Sequence, residues 1–181
     1  MRLWDIRQKK HSFSFNIGFQ VTSVVHTGSH VFFAGIDNTV RSIDLKTNQL
    51  DLTLVGHADI VTSLAKPTEP NGFLLSNAMD NTCIIWDVKP YCPNETRVEK
   101  VLQGATHNFE KNLLKCCWSD CGQMVSAGSA DRTVNIWDAQ SGQLRHRLGG
   151  HKGSVNETAI SRGKVASCGS DKLVIVGDIN A

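Results

Sequence analysis

An all-β fold built from one four-stranded antiparallel unit used several times over is what this sequence predicts, and three observations carry the prediction. First, the strings Asp37–Asp44, Asp80–Asp87, Asp131–Asp138 and Asp171–Asp178 superimpose without a gap, each with two aspartates seven apart. Second, the position held by Trp4, Ile43, Trp86, Trp137 and Gly177 recurs after 39, 43, 51 and 40 residues, which brackets the roughly 40–45 residues of a propeller blade. Third, the residues between these marks fall into short β-branched runs separated by turn chemistry, and no segment sustains a 3.6-residue apolar period, so helices are absent or trivial.

Taken in order, the chain opens on a truncated copy, Leu3-Trp4-Asp5-Ile6. Strands are predicted over Val21–Val25, Val31–Ala34, Val61–Ala65, Phe73–Ser76, Leu113–Trp118, Met124–Ala127, Val155–Ile160 and Lys164–Ser167. His26-Thr27-Gly28-Ser29, Glu69-Pro70-Asn71-Gly72, Ser119-Asp120-Cys121-Gly122 and Ser161-Arg162-Gly163 are the turns between them. The step of 51 holds an insertion, Lys89 to Thr96, whose prolines cannot pair in a sheet and must loop out. Residues 1–181 then form one repeat array, with a partial blade at 1–15 and repeats ending near 44, 87, 138 and 178.

Composition excludes several functions. A net charge of +2 in 181 residues lacks the basic excess of a protein that neutralises phosphates. No apolar run reaches membrane-spanning length and the amino terminus carries no signal-peptide pattern, so a soluble, non-secreted protein is expected. Cys83, Cys92, Cys116, Cys117, Cys121 and Cys168 contain no Cys-x-x-Cys pair and read as free thiols of the cytosol or nucleus. The basic strings Arg7-Gln8-Lys9-Lys10-His11 and Arg145-His146-Arg147 read as solvated edges. His11, His26, His30 and His146 lack partners at ligand spacing, and no glycine loop for phosphates is present. No metal and no cofactor is expected.

With its Trp-Asp ends at Trp86-Asp87 and Trp137-Asp138 and its Gly-His starts at Gly56-His57 and Gly150-His151, the chain resembles the WD-repeat (WD40) β-propellers over nearly its whole length. The resemblance implies about four blades of four antiparallel strands, some 17 strands in all, belonging to a seven-bladed ring. Such a ring needs roughly 280–315 residues at 40–45 per blade, so the chain is expected to be a carboxyl-terminal piece. A small closed ring in which Ser12–Phe15 completes the last blade is the alternative. The strings Leu74–Thr82 and His107–Leu114 are similar to a branch of the family that works inside the U5 small nuclear ribonucleoprotein. That similarity implies a non-enzymatic, nuclear protein-interaction scaffold of the spliceosome in pre-mRNA splicing. Its implied partners are the large U5 scaffold protein and other spliceosomal subunits, with RNA contact indirect. The alternative is another WD-repeat adaptor, such as a ubiquitin-ligase substrate receptor.

His57, Ser76 and Asp80 are also the ingredients of nucleophilic catalysis. The same set returns as His151, Ser167 and Asp171, and a catalytic site has no reason to recur in each blade. The resemblance implies instead a buried relay: Trp86 donating to Ser76, Ser76 to His57, His57 to Asp80. His107, Asp131 and Trp137 make an incomplete one, because Ala127 stands at the Ser position. In the copy ending at Ile43-Asp44, with Phe33 at the Ser position, apolar packing alone is expected to hold the blade. The candidate protein-binding residues are Met79 and the loop Asn108-Phe109-Glu110-Lys111-Asn112, which the family pattern puts at one rim. There, five residues separate His107 from the next strand, against three after His57.

Overall fold

The structure, a computed structural model, describes residues 1–7, 10–68 and 72–179; Gln8 and Lys9 of the basic string and Glu69-Pro70-Asn71 of the second turn lie outside the described residues. Among the described residues there are 17 strands and no helix. A two-stranded sheet comes first, β1 (Arg2–Trp4) paired with β2 (His11–Ser14). Three four-stranded antiparallel blades follow. They are β3 (Val21–Thr27), β4 (His30–Gly35), β5 (Thr39–Asp44) and β6 (Gln49–Val55); β7 (Val61–Ala65), β8 (Phe73–Ala78), β9 (Thr82–Asp87) and β10 (Val98–Gln103); and β11 (Cys116–Trp118), β12 (Met124–Gly128), β13 (Val134–Asp138) and β14 (Leu144–Leu148). The last sheet has three strands, β15 (Val155–Ser161), β16 (Lys164–Gly169) and β17 (Val174–Asp178).

Consecutive blades are stitched along their first strands. Thr22 Oγ1 donates to Val61 O at 2.5 Å and Leu64 N to Ser23 Oγ at 2.9 Å. Thr62 Oγ1 donates to Leu114 O at 2.7 Å, and Lys115 N to Asn156 O at 2.8 Å. Thus β3, β7, β11 and β15 lie side by side as the inner strands of a propeller, with β6, β10 and β14 at the periphery. The core sits between blades. One cluster joins Phe32, Val40 and Leu54 to Val61, Leu64, Leu74 and Trp86, a second joins Leu75, Ile85 and Leu102 to Cys116, Trp118, Val125 and Trp137, and a third joins Val134 and Ile136 to Val155, Ile160 and Val165. This explains the pattern of the second strands. Val31-Phe32-Phe33-Ala34 reads as a continuous apolar run because both faces of β4 are covered, as in any strand buried on two sides. At Gly128 the inner strand of the next blade comes so close that a Cβ would stand 2.2 Å from Val155 O.

Three expectations need correction. The inner strand predicted over Leu113–Trp118 begins at Cys116. The Leu114 carbonyl and Lys115 amide are taken by the neighbouring blades rather than by a ladder partner. Ser12–Phe15 does not complete the last blade, since β2 pairs with β1 through Leu3↔Phe13 and Arg2↔Ser14. Nor is the β3–β6 blade held by apolar packing alone. Arg41 pairs with Asp37 at 2.7 Å and lies 4.9 Å from the centre of the Phe19 ring, which itself stacks on Phe33.

Candidate functional site

Each repeat turns from its second to its third strand through Asp-x-Thr or Asp-x-Leu, and the middle residue is left-handed every time: Asn38, Asn81, Arg132 and Lys172 have φ of 60°, 66°, 71° and 67°. The aspartate side chain closes this turn. Asp80 Oδ1 accepts from Thr82 N at 3.0 Å and from Thr82 Oγ1 at 2.7 Å, an Asx-type arrangement that leaves its second oxygen facing the preceding loop.

In the β7–β10 blade that second oxygen is the end of a hydrogen-bonded chain. Trp86 Nε1 donates to Ser76 Oγ at 2.8 Å, Ser76 Oγ lies 2.6 Å from His57 Nε2, and His57 Nδ1 lies 2.9 Å from Asp80 Oδ2. Asp80 Oδ2 also accepts from Ala58 N at 2.9 Å. Burial alone would raise the Asp80 pKa, but the bonds from His57, Thr82 and Ala58 hold it far below the ordinary carboxylate value. Gly56 is required, because a Cβ there would meet the Trp86 ring at 2.9 Å. Ser76 and Trp86 are 0% exposed and His57 7%, so the Ser–His pair is covered by protein.

The last blade repeats the chain without its tryptophan. His151 Nε2 lies 2.9 Å from Ser167 Oγ and His151 Nδ1 lies 3.0 Å from Asp171 Oδ2, with Lys152 N donating to the same oxygen at 2.8 Å. Gly177 occupies the tryptophan position, and Val174 and Val176, which precede it along β17, are exposed.

The β11–β14 blade departs further, and here the expectation for His107 fails. The structural counterpart of His57 is Ala105. Thr106 N, in the place of Ala58 N, donates to Ser129 Oγ at 2.9 Å, and Ala105 is buried in the cluster with Ala127 and Trp137. His107, two residues on, has moved out of the blade: its Nε2 is 3.4 Å from Asn77 Nδ2 and its backbone N donates to Asn81 Oδ1 at 2.6 Å. Burial lowers its pKa. Trp137 Nε1 finds Gln103 O at 2.9 Å, and Asp131 binds Thr133 and Arg147. The two relay positions are therefore both alanine. Asn135, facing Ala127 across the ladder, is 0% exposed with neither amide atom partnered among the described residues.

The loop Asn108–Asn112 lies on the same face as the Asp-x-Thr turns, as the bond from His107 N to Asn81 shows. Its shape is internally set. Asn108 Nδ2 and Asn112 Nδ2 both donate to Glu110 Oε2, at 3.2 and 2.9 Å, and Lys111 takes a φ of 49°. Phe109 is 92% exposed and does not fold back over Ala127. Met79 stands on this face too, its N bonded to Ile60 O at 2.9 Å. The open apolar side chains of Ile36, next to Asp37, and Leu113, next to Asn112, flank the same rim; neither is among the contact candidates named from the sequence. Among the described residues no group of three or more His, Cys, Asp or Glu side chains is placed to hold a metal ion. The described cysteines are all free thiols, and burial pushes Cys116 up to about 12.

Comparison with known proteins adds what geometry cannot. The family model described as WD domain, G-beta repeat matches residues 48–87 and 99–138. The chain is 45% identical to the U5 small nuclear ribonucleoprotein 40 kDa protein of Homo sapiens, over 99% of this chain and 51% of that protein. It is 39% identical to the pre-mRNA-splicing factor cwf17 of Schizosaccharomyces pombe, over 99% of this chain and 53% of that protein. Among solved structures, the computationally designed Ika4 protein superposes with a TM-score of 0.70 at 25% identity, over 88% of this chain and 91% of that one. The chain spans about half the length of the curated relatives it matches.

Proposed function

The chain belongs to the WD-repeat family, and from that premise we propose that it is a non-enzymatic protein-interaction scaffold of the U5 small nuclear ribonucleoprotein, acting in pre-mRNA splicing in the nucleus. The observation that carries the reading is the 45% identity over 99% of this chain to a protein named for that particle. In this reading the partners are the large U5 scaffold protein and other spliceosomal subunits, and RNA is reached through them.

The His57–Ser76–Asp80 chain serves the scaffold rather than a reaction. The Ser76 hydroxyl already accepts from Trp86 and is 0% exposed, which leaves a substrate carbonyl no approach. Its value is to satisfy buried polar groups while tying the β7 entry loop to β8 and β9. The Phe109 loop, with Met79, is the proposed contact surface. An exposed aromatic flanked by both charge signs is the composition that interface cores and rims together favour, the aromatic for the core and the charges for the rim. Capture from nuclear extract on the tagged chain, followed by mass spectrometry, tests the assignment. Recovery of U5 proteins is the expected result. Recovery of ubiquitin-ligase subunits in their place would move the chain to the adaptor reading.

A further inference from the structure

The insertion between β9 and β10 has no part in the surface just described, and it builds something of its own. In an antiparallel blade the first and third connections emerge on one face and the second on the other. Lys89–Thr96, joining the third and fourth strands, therefore lies opposite the Phe109 loop, beside the β3–β4 turn of the neighbouring blade. Between them is a hollow of about 560 Å³ that runs into a second of about 270 Å³. The floor is apolar, with Phe73, Val88 and Pro67, and Pro90 of the insertion forms one wall.

The insertion is pinned from within. Arg97, left-handed at φ 55°, donates from Nη1 to Lys89 O at 2.7 Å and to Asp87 O at 3.3 Å, so the wall has a defined shape. The charge on the rim is one-sided. Lys66, Lys89 and Arg97 line the hollows, whereas the one lining carboxylate among the described residues, Asp51, is already 3.1 Å from His30 Nε2. Lys89 also reaches Asp87 at 3.6 Å while its ammonium lies over the Phe73 ring at 4.3 Å. Arg97 donates to two backbone carbonyls and pairs with no carboxylate among the described residues.

We propose that this groove between the β3–β6 and β7–β10 blades is a second docking site, for an acidic peptide segment carrying one bulky apolar side chain. The apolar floor takes the side chain, and the cationic rim takes carboxylates on either side of it. Volume of this order suits a side chain anchored in a preformed cleft, and rim charges of one sign set partner sign and encounter rate. A polynucleotide fits less well, because the phenylalanines among the described lining residues, Phe73 and Phe32, are half-buried and buried, whereas successive bases stack on open aromatic faces.

The probe is a fluorescein-labelled ten-residue peptide of Asp and Glu around a central Leu-Phe pair, titrated by anisotropy against the full chain. The controls are the same peptide with Lys for each acid, one with Ala for Leu-Phe, and a labelled oligouridylate. The acidic peptide is expected to bind best, and Lys66→Glu with Lys89→Glu to weaken it about tenfold or more, equivalent to about 1.4 kcal/mol. Lys164→Glu, in the last blade, is expected to leave it unchanged. Should the double variant melt early, Lys66→Ala, at an exposed site, replaces it with an expected loss of about threefold. Equal binding of the acidic and lysine peptides, tighter binding of oligouridylate, or no response to the Lys66 variants overturns the proposal. Because the groove faces away from Phe109, none of these results bears on the capture experiment.

Discussion

The β7–β10 and β11–β14 blades carry the same Asp-x-Thr…Trp-Asp ending and bury the same tryptophan, yet they solve the same polar problem in different ways. In the first, the indole N–H, a serine, a histidine and an aspartate satisfy one another in a closed chain. In the second, alanine replaces both middle members, the indole turns to a backbone carbonyl, and the aspartate turns outward to Arg147. What remains inside is Asn135, whose amide has no partner among the described residues. A tryptophan and two aspartates thus suffice to form a blade. The histidine and serine decide whether its interior is electrostatically complete.

The largest test of this contrast is at the tryptophans. Trp86→Ala is expected to cost about 3–5 kcal/mol for the cavity and to strip Ser76 of its donor as well, so its melting temperature should fall further than that of Trp137→Ala. Equal losses would mean that the chain adds nothing beyond packing. Next comes His57→Ala, expected to destabilise by about 1–3 kcal/mol for each buried partner left unsatisfied. Asn135→Ile has the opposite sign. It puts in the β11–β14 blade the residue type that Ile84 supplies in its neighbour and removes two buried orphan atoms, so a gain of about 1–2 kcal/mol is expected in denaturant melts. A loss would show that the Asn135 amide is satisfied in solution.

Acid separates the blades in another way. Asp80 and Asp131 are both held below the ordinary carboxylate value against the opposing effect of burial. Each therefore contributes stability at pH values above the unfolded carboxylate pKa, about 3.9, and loses it as pH falls toward the folded value. Asp131 is held down by bonds from Thr133 and Ser129 and by the half-exposed cation of Arg147, whereas Asp80 faces the fully covered His57 side chain. Added salt should accordingly shrink the acid sensitivity removed by Asp131→Asn and leave that removed by Asp80→Asn nearly intact. His107 shifts in the same direction from a different cause, burial: favoured neutral, it makes the fold lose stability as pH falls through the ordinary imidazole value, about 6.5, and His107→Leu should flatten that limb. The smallest effect is at the rim. Phe109→Ala with Lys111→Glu should leave the melting temperature within about a degree or two, since such surface changes stay near ±0.5 kcal/mol. It should still reduce capture of the U5 scaffold protein. Loss of capture only together with stability would assign the loop to packing.

The contrast also shows where reading from sequence succeeds. Asp80, Thr82 and Trp86 are legible because their spacing lies within one hairpin, where chain geometry leaves little freedom. His107 was misplaced for the opposite reason. The loop before β11 is longer, with ten residues between Ala105 and Cys116 against three between His57 and Val61, and a count from the aspartate cannot tell whether the extra residues precede or follow the residue that enters the blade. The backbone puts Ala105 in that place. The start of the run Leu113–Trp118 misled similarly: it continues a strand-like stretch, but the Leu114 carbonyl and the Lys115 amide are spent on neighbouring blades instead of on a ladder.

By itself, the amino-acid sequence determined the all-β class, the repeat, the buried tryptophans and the outward loop at Lys89–Thr96, all consequences of local periodicity and turn chemistry. Only the tertiary structure decided which histidines enter a blade, that Asn135 has no partner among the described residues, that Phe109 stands clear of the core, and that the insertion walls a hollow against the next blade. Each of these depends on contacts between segments tens of residues apart, where a shift of one or two positions in a loop changes which side chains meet.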